Sequence, residues 1–465
     1  MSFWSDLEQY GDALCVDGEL PLSYQEVAEL SDRIFPKKNK AVAVLVCGRD
    51  IATFLCYLGC LRSGIVPILL SEDMDDEGVA TYISNYQAQY LCCKKDRYKK
   101  NPLKYAQEGV ELFGHLVIEL VENTHKIEDQ LALLLTTSGT TSDPKLVRLS
   151  YDNIQENAES ISACLGIDKY AKPITLLPFN YSFGLSVINS HLNKGATIVF
   201  SNEGLTSRGF WDAFRQYGIT SFYGVPYHYD ILKKFRFERL DFPKLKLMAQ
   251  AGGRMAESEK QAFYTLGKLK GFKFVGMYGQ TEATARIAYL PAEQFESKSA
   301  SVGRAIPNGT LSILDPDSHG VGEVCYQGPN VSLGYACNIE DLALGDSNSS
   351  KLVTGDLGYL DLDGFLYLTG RKRRYIKVFG NNVNLDHVEK VASELVNDVA
   401  AVIGVDNQVK ILVLKVPLET FKADILKRMT IHPKALMIES VPSLLYKSTG
   451  KVDYAALTER YLCNV

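Results

Sequence analysis

The sequence predicts a mixed α/β (α+β) protein: a large N-terminal domain of α/β sheets with a β-rich subdomain, followed by a small α+β C-terminal domain. Three observations carry this. Short, β-rich apolar runs alternate with helix-like stretches through the first part of the chain, the signature of α/β layers. Past Gly309 the apolar runs crowd together with turn signals between them, which predicts hairpins and an antiparallel sheet. After the basic cluster Arg371-Lys372-Arg373-Arg374 the pattern restarts, placing a domain boundary at about residue 370, with domains over 1–369 and 370–465.

In order along the chain, the first helix is predicted over Leu22 to Ile34. Strands follow at Ala41 to Val46, Ile65 to Leu70 and Leu131 to Leu135, and a helix at Tyr151 to Leu165. Further strands are expected at Ile174 to Leu177, Ala196 to Phe200 and Phe272 to Val275. The hairpin region comprises Leu311 to Leu314, Gly322 to Gln327, Lys351 to Leu360 and Gly364 to Leu368, with Asp363-Gly364 as a turn. The final part reads as helix (Leu385 to Leu395), two strands (Ala400 to Val405 and Val409 to Val416) and helix (Glu419 to Arg428). No internal repeat is visible.

With 465 residues, 46% hydrophobic and 23% charged, the chain is too long for one average domain and too apolar for disorder. A net charge of −5 offers no global basic field for nucleic acid or an anionic membrane, so neither is an expected partner. Ten cysteines form no CxxC pair and no dense framework, which predicts a reduced, cytoplasmic protein. The start, Met1 to Asp6, has no basic stretch followed by an apolar core, and no later apolar run reaches the ~18 to 20 residues of a spanning helix. Membrane insertion and secretion are therefore not expected.

The most informative segment is Leu135-Thr136-Thr137-Ser138-Gly139-Thr140-Thr141-Ser142-Asp143-Pro144-Lys145, between an apolar strand and a helix. Small residues let backbone N–H groups and hydroxyls approach phosphate oxygens, and Lys145 adds a mobile charge. Such a loop cradles polyphosphate, although its spacing is not that of a P-loop. A flexible Ser/Thr loop is the competing reading of this segment in isolation.

This segment resembles the phosphate loop TSGTTGxPK of the adenylate-forming superfamily, which comprises acyl-CoA synthetases, peptide-synthetase adenylation domains and luciferases. Ser142 stands where the last glycine is usual. Several other motifs occur in the family's order. Leu22 to Glu26 and Cys60 to Pro67 resemble its early structural motifs, read as packing features. Tyr278-Gly279-Gln280-Thr281-Glu282 resembles YGxTE, which implies Tyr278 stacking on adenine, Thr281 at the α-phosphate and Glu282 holding Mg2+. Gln250 to Arg254 resembles the loop lining the adenine pocket, with Gly252 and Gly253 as its glycines. Thr354-Gly355-Asp356 resembles the motif whose aspartate binds both ribose hydroxyls, and Gly370-Arg371 the start of the inter-domain segment, its arginine reaching ribose or phosphates.

The resemblance also implies stacked α/β sheets and a mobile C-terminal domain turning about a hinge at Arg373, where Asp or Lys is usual. Lys372 and Arg374 read as solvated surface. Lys377 to Val383 resembles the loop lining a thioester-forming tunnel, with Gly380 letting a pantetheine arm pass close to the backbone. Tyr446 to Tyr454 resembles xTxxGKxxR, which makes Lys451 the catalytic cation that bridges the carboxylate and the α-phosphate. Tyr454 replaces a frequent arginine.

Asn180 and Tyr181 stand where relatives place the acyl-binding motif, and Tyr223 lies in an aromatic run expected to form the pocket wall. An amide at 180 supplies no charge for an α-ammonium group, so the expected acid is aryl or acyl rather than a standard α-amino acid. The implied activity is ATP-dependent, with Mg2+: a carboxylate becomes an acyl-adenylate, then passes to coenzyme A or to a carrier-protein phosphopantetheine. Three alternatives stay open: a non-thiol second step, a non-catalytic nucleotide-binding module, and an unrelated NTPase with a mimicking loop.

Overall fold

The computed structural model describes residues 2–11, 14–18, 20–35, 40–100, 109–120, 125–136, 145–379, 381–396, 398–414, 417–429, 431–447 and 450–462. The chain is mixed α/β, and its largest element is an eight-stranded sheet. The middle of that sheet is parallel: Val42–Cys47 lies between Val66–Ser71 and Tyr90–Lys94, and Leu131–Thr136 extends the parallel set beyond Val66–Ser71. Val42–Cys47 is buried at every residue, as a central strand covered on both faces must be. Its side chains alternate between two cores: Ala43, Leu45 and Cys47 enter one, and Val42, Val44 and Val46 the other.

The sheet's flanks are antiparallel. Leu146–Ser150 pairs with Leu131–Thr136. At one edge, Gly334–Ala336 adds to Leu146–Ser150. Arg148, fully buried, donates from Nη2 to the Leu333 carbonyl (2.7 Å) and from Nε to the Tyr335 carbonyl (3.1 Å). It also reaches the carbonyls of Leu344 and Gly345. These donors satisfy backbone acceptors that burial would otherwise leave unpaired.

Local signals explain the helices. Ser23 and Glu26 form a reciprocal capping box at the start of Tyr24–Ile34, so the helix begins two residues after the expected Leu22. Ser150 and Asn153 do the same for Tyr151–Leu165, which Gly166 ends in a left-handed conformation. The second α/β sheet runs Ser221–Gly224, Leu247–Gln250, Lys273–Tyr278 in parallel, then Ala288–Leu290 and Arg304–Ala305 antiparallel. A small sheet joins Ile198–Phe200, Leu14–Asp17 and Leu20–Ser23.

The expected strand at Ile174 to Leu177 is not a strand. Two isolated bridges, Pro173 to Ser221 and Ile174 to Val199, tie this segment to two different sheets. Proline has no N–H to donate, and a segment serving two sheets cannot follow one ladder. The hairpin region is antiparallel as expected, in the order Thr310–Leu314, Gly322–Gln327, Lys351–Leu360, Leu366–Arg371.

Residues beyond 374 build their own cores from a hairpin (Tyr375–Val378 with Asn381–Asn384), a three-stranded sheet and the helices Leu385–Val396, Leu418–Arg428 and Tyr454–Tyr461. Arg374 is not the solvated residue expected. Its side chain is 15% exposed, pairs with Asp386 (2.8 Å) and Glu389 (3.1 Å), and lies 4.0 Å over the Tyr454 ring. Tyr454 donates its hydroxyl to Glu389 (2.7 Å), so the departure from arginine is absorbed into this packed group. Among the described residues, no helix is long and apolar enough to cross a membrane. The nine described cysteines are unpaired.

Candidate active site

Parallel strands end with their last residues free to project, and the end of Lys273–Tyr278 with the turn after it carries three of the predicted residues, Tyr278, Thr281 and Glu282. Tyr278 closes the strand and donates its hydroxyl to Asp356 Oδ2, a bond that Gln280 Nε2 joins at 2.8 Å. Arg371 Nε meets the other oxygen, Oδ1, at 2.9 Å. Asp356 is thus a buried carboxylate with three donors, one of them charged, and its neighbours on the ladder explain why: Asp356 and Arg371 are paired residues on adjacent strands. Burial, and then the Asp356 charge, push the Tyr278 hydroxyl well above its ordinary range, so it stays a donor.

Thr281 and Glu282 sit in the single turn Thr281–Ala283. The Thr281 hydroxyl lies 3.2 Å from that of Ser182, at the start of the helix Ser182–Leu192. Glu282 Oε1 accepts the Tyr335 hydroxyl at 2.8 Å, and the Tyr335 ring carries Lys145 Nζ 3.4 Å from its centroid. One tyrosine on the sheet-edge strand therefore holds both the predicted metal carboxylate and the predicted phosphate lysine.

Lys451 comes to the same place from the far end of the chain. Its Nζ lies 5.3 Å from the Tyr181 ring centroid. Burial, then Arg371 and Lys447, push its pKa down to about 8, with Glu282 and Asp356 pulling the other way. The turn carrying it is docked: Lys447 and Lys451 pair through backbone, the Tyr446 ring lies tilted with its centroid 5.1 Å from that of Tyr227, and Gly450 abuts Val225. A Cβ on Gly450 would fall 2.6 Å from Val225, and its φ of +74° is one that L side chains rarely adopt.

The family described as AMP-binding enzyme matches residues 3–336. The chain belongs to that family. The oxalate–CoA ligase of Arabidopsis thaliana is 26% identical over 414 residues, 82% of this AMP-binding enzyme and 79% of the relative. The 2-succinylbenzoate–CoA ligase of Bacillus subtilis (strain 168) is 25% identical over 390 residues, 82% and 78% of the two chains. Among solved structures, the o-succinylbenzoate CoA synthetase of Bacillus subtilis with its acyl-adenylate intermediate superposes with a TM-score of 0.77, at 21% identity over 98% of each chain. The anthranilate CoA ligase in complex with anthranoyl-AMP gives 0.80, at 18% identity, covering 99% and 97%. At these identities the structures establish the fold.

In this AMP-binding enzyme Tyr181 and Tyr223 belong to one buried apolar cluster, together with Phe183, Val225 and Met277. Gly252 borders it: a Cβ there would fall 2.2 Å from the Tyr181 hydroxyl oxygen, at a φ of +81°. Gly253 faces Pro226, and Asn180 Oδ1 is buried without a hydrogen-bond partner among the described residues. Thr137, Ser138, Gly139, Thr140, Thr141 and Gly380 lie outside the described residues, as does the side chain of Arg373.

The sequence reading missed Gln280, Tyr335 and Arg286. Gln280 lies inside a motif already singled out. Tyr335 has no local signal, because its role depends on a strand pairing across about half the chain. Arg286 lies four residues past Glu282, in a stretch that reads as an ordinary loop.

Proposed function

We infer that this chain is an AMP-forming acid–thiol ligase that joins a carboxylic acid to a thiol at the expense of ATP. The observation that carries this is the convergence of Glu282, Asp356 and Arg371 around Lys451, in a chain of the AMP-binding family.

In the first half-reaction the acid's carboxylate attacks the α-phosphorus of ATP and pyrophosphate leaves. Two anions must meet, and Lys451 lies between the aromatic cluster and the nucleotide residues, where one cation can bridge both. Tyr278 flanks adenine beside Gly252 and Gly253. Asp356 exchanges its protein donors for the ribose hydroxyls, with Arg371 near the ribose or phosphates. Thr281 donates to the α-phosphate. The loop Thr137, Ser138, Gly139, Thr140, Thr141 with Lys145 holds the departing phosphates.

Among the described residues no group of three or more His, Cys, Asp or Glu could hold a metal. Mg2+ binds through one or two carboxylates plus phosphates and water. Glu282, oriented by Tyr335, is the carboxylate that would hold it. When bound, the ion neutralises phosphate charge.

In the second half-reaction a thiolate of coenzyme A or of a carrier-protein phosphopantetheine displaces AMP. The domain over 370–465 turns about Arg373 between the two steps, replacing Lys451 with the segment around Lys377 to Val383. The acid is aryl or acyl rather than a standard α-amino acid, since Asn180 brings no charge for an ammonium group. The acids named for relatives (oxalate, 2-succinylbenzoate, indoleacetate) range widely, so they leave the acyl group open. Unpaired cysteines suit a reducing cytoplasm.

The test is exchange of labelled pyrophosphate into ATP over a panel of acids. Exchange with a subset of acids, lost by about a hundredfold or more in Lys451→Ala, is the expected outcome. Acid-independent hydrolysis with no exchange would overturn the reading.

A further inference from the structure

Arg286 is 1% exposed, and among the described residues no acid acts on its charge. Its guanidinium lies 3.8 Å over the Phe183 ring, and Nε points at the Met277 sulfur, 3.2 Å away. Nη2 is buried and has no hydrogen-bond partner among the described residues. The ionisable groups that act on it are Tyr181, Tyr223 and Cys164. Burial pushes all three upward, so they are neutral at pH 7. His191 Nε2 is 3.4 Å from the Tyr223 hydroxyl, and burial lowers that imidazole to about 4, so it too is neutral. Burial drives Arg286 down only to about 10, which leaves it charged.

A buried cation without a counter-ion is among the most costly arrangements a fold can hold, since desolvation is not offset by pairing. Apolar side chains of similar volume would be better for folding alone. The charge lies against Phe183 and Met277 and beside Tyr181 and Tyr223, all members of the cluster assigned above to the acyl group. Tyr181 has Lys451 5.3 Å from its ring centroid and feels Arg286 as its second cation. The aromatic cluster therefore has a cation toward the nucleotide and another within its own wall. Guanidinium geometry matches a carboxylate through two parallel N–H donors.

We propose that Arg286 binds a second anionic group on the substrate, so that the acid is a dicarboxylic acid, one carboxylate reacting at Lys451 and the other held by Arg286. This rests on the ligase reading above and names its substrate class. The reacting carboxylate forms the mixed anhydride with AMP and releases pyrophosphate; the carboxylate at Arg286 forms and breaks no covalent bond.

The experiment is pyrophosphate–ATP exchange with acids in matched pairs on one skeleton: butyrate against succinate, hexanoate against adipate, benzoate against benzene-1,3-dicarboxylate. With the unaltered protein, at least one di-acid is expected to exceed its mono-acid partner in kcat/KM by about tenfold or more, the worth of a charged hydrogen bond. Arg286→Gln lowers the di-acid to the mono-acid's level, chiefly through KM, and Arg286→Lys recovers part of the loss. Exchange with mono-acids equal to or above their di-acid partners overturns the proposal while leaving the ligase reading intact, whether or not the variants fold. An Arg286→Gln variant that lowers both members of a pair equally overturns it also. No exchange with any acid sinks the ligase reading itself.

Discussion

Raising the pH removes the proton from Lys451, and the structure sets where this happens. Its pKa of about 8, against the ordinary 10.5, comes from burial and from the positive charges of Arg371 and Lys447. A group with that pKa is about nine-tenths protonated at pH 7 and about one-eleventh protonated at pH 9, so kcat/KM for adenylation is expected to fall about tenfold across that interval. The break in kcat should lie higher, because carboxylate and phosphate bound beside the lysine both favour its charged form. Lys451→Arg stays charged throughout and should lower the rate but remove the break near pH 8. Stability moves in the opposite direction. Between about 8 and 10.5 the unfolded chain binds more protons at this position than the folded one, so the folded state gains from Lys451 as pH rises through that window. Pyrophosphate exchange from pH 6.5 to 9.5, with thermal unfolding alongside, reads both. A flat kcat/KM across that range, or a break in Lys451→Arg at the same pH, would refute the argument.

Tyr335→Phe removes the hydroxyl that holds Glu282 while keeping the ring under Lys145. A hydrogen bond to a charged group is worth about 1.5 to 3 kcal/mol, so exchange should drop roughly tenfold to a hundredfold and recover in part at higher Mg2+. An unchanged Mg2+ titration would count against Tyr335 as the residue that orients the carboxylate. Gly450→Ala places a methyl group 2.6 Å from Val225 and imposes a left-handed conformation costing about 1 to 2 kcal/mol. It should slow adenylation by about tenfold or more while affecting thioester formation from a supplied acyl-adenylate far less. Equal losses in both half-reactions, measured separately, would contradict this.

The parts of the fold legible in the sequence are those with a local cause. Val42–Cys47 is readable because a strand covered on both sides is apolar at every position, and Tyr151–Leu165 because its cap and closing glycine lie within its own span. Ile174 to Leu177 misleads because its composition suits a strand, while its partners lie in two sheets. The candidate site divides in the same way. Asp356, Glu282 and Lys451 lie in short motifs that the resemblance to the adenylate-forming superfamily picks out by their order; taken alone, each reads as an ordinary turn or loop residue. Tyr335 and Arg286 carry no motif. The first acts through a pairing with Leu146–Ser150, and the second stands out only when no acid is found acting on it among the described residues. Arg374 reads as surface from its run of basic neighbours, and only the fold brings Asp386, Glu389 and Tyr454 around it.

A ribosome delivers Leu146–Ser150 well before Gly334–Ala336, the strand that covers its outer edge. Until then the nascent chain exposes one unpaired ladder of backbone groups, and Arg148 has none of the carbonyls at Leu333, Tyr335, Leu344 and Gly345 to which it donates in the finished molecule. Open edges of this kind invite pairing with other chains. The eight-stranded sheet therefore matures late in synthesis, and during that interval the emerging protein depends most on dilution or on chaperones to stay out of aggregates.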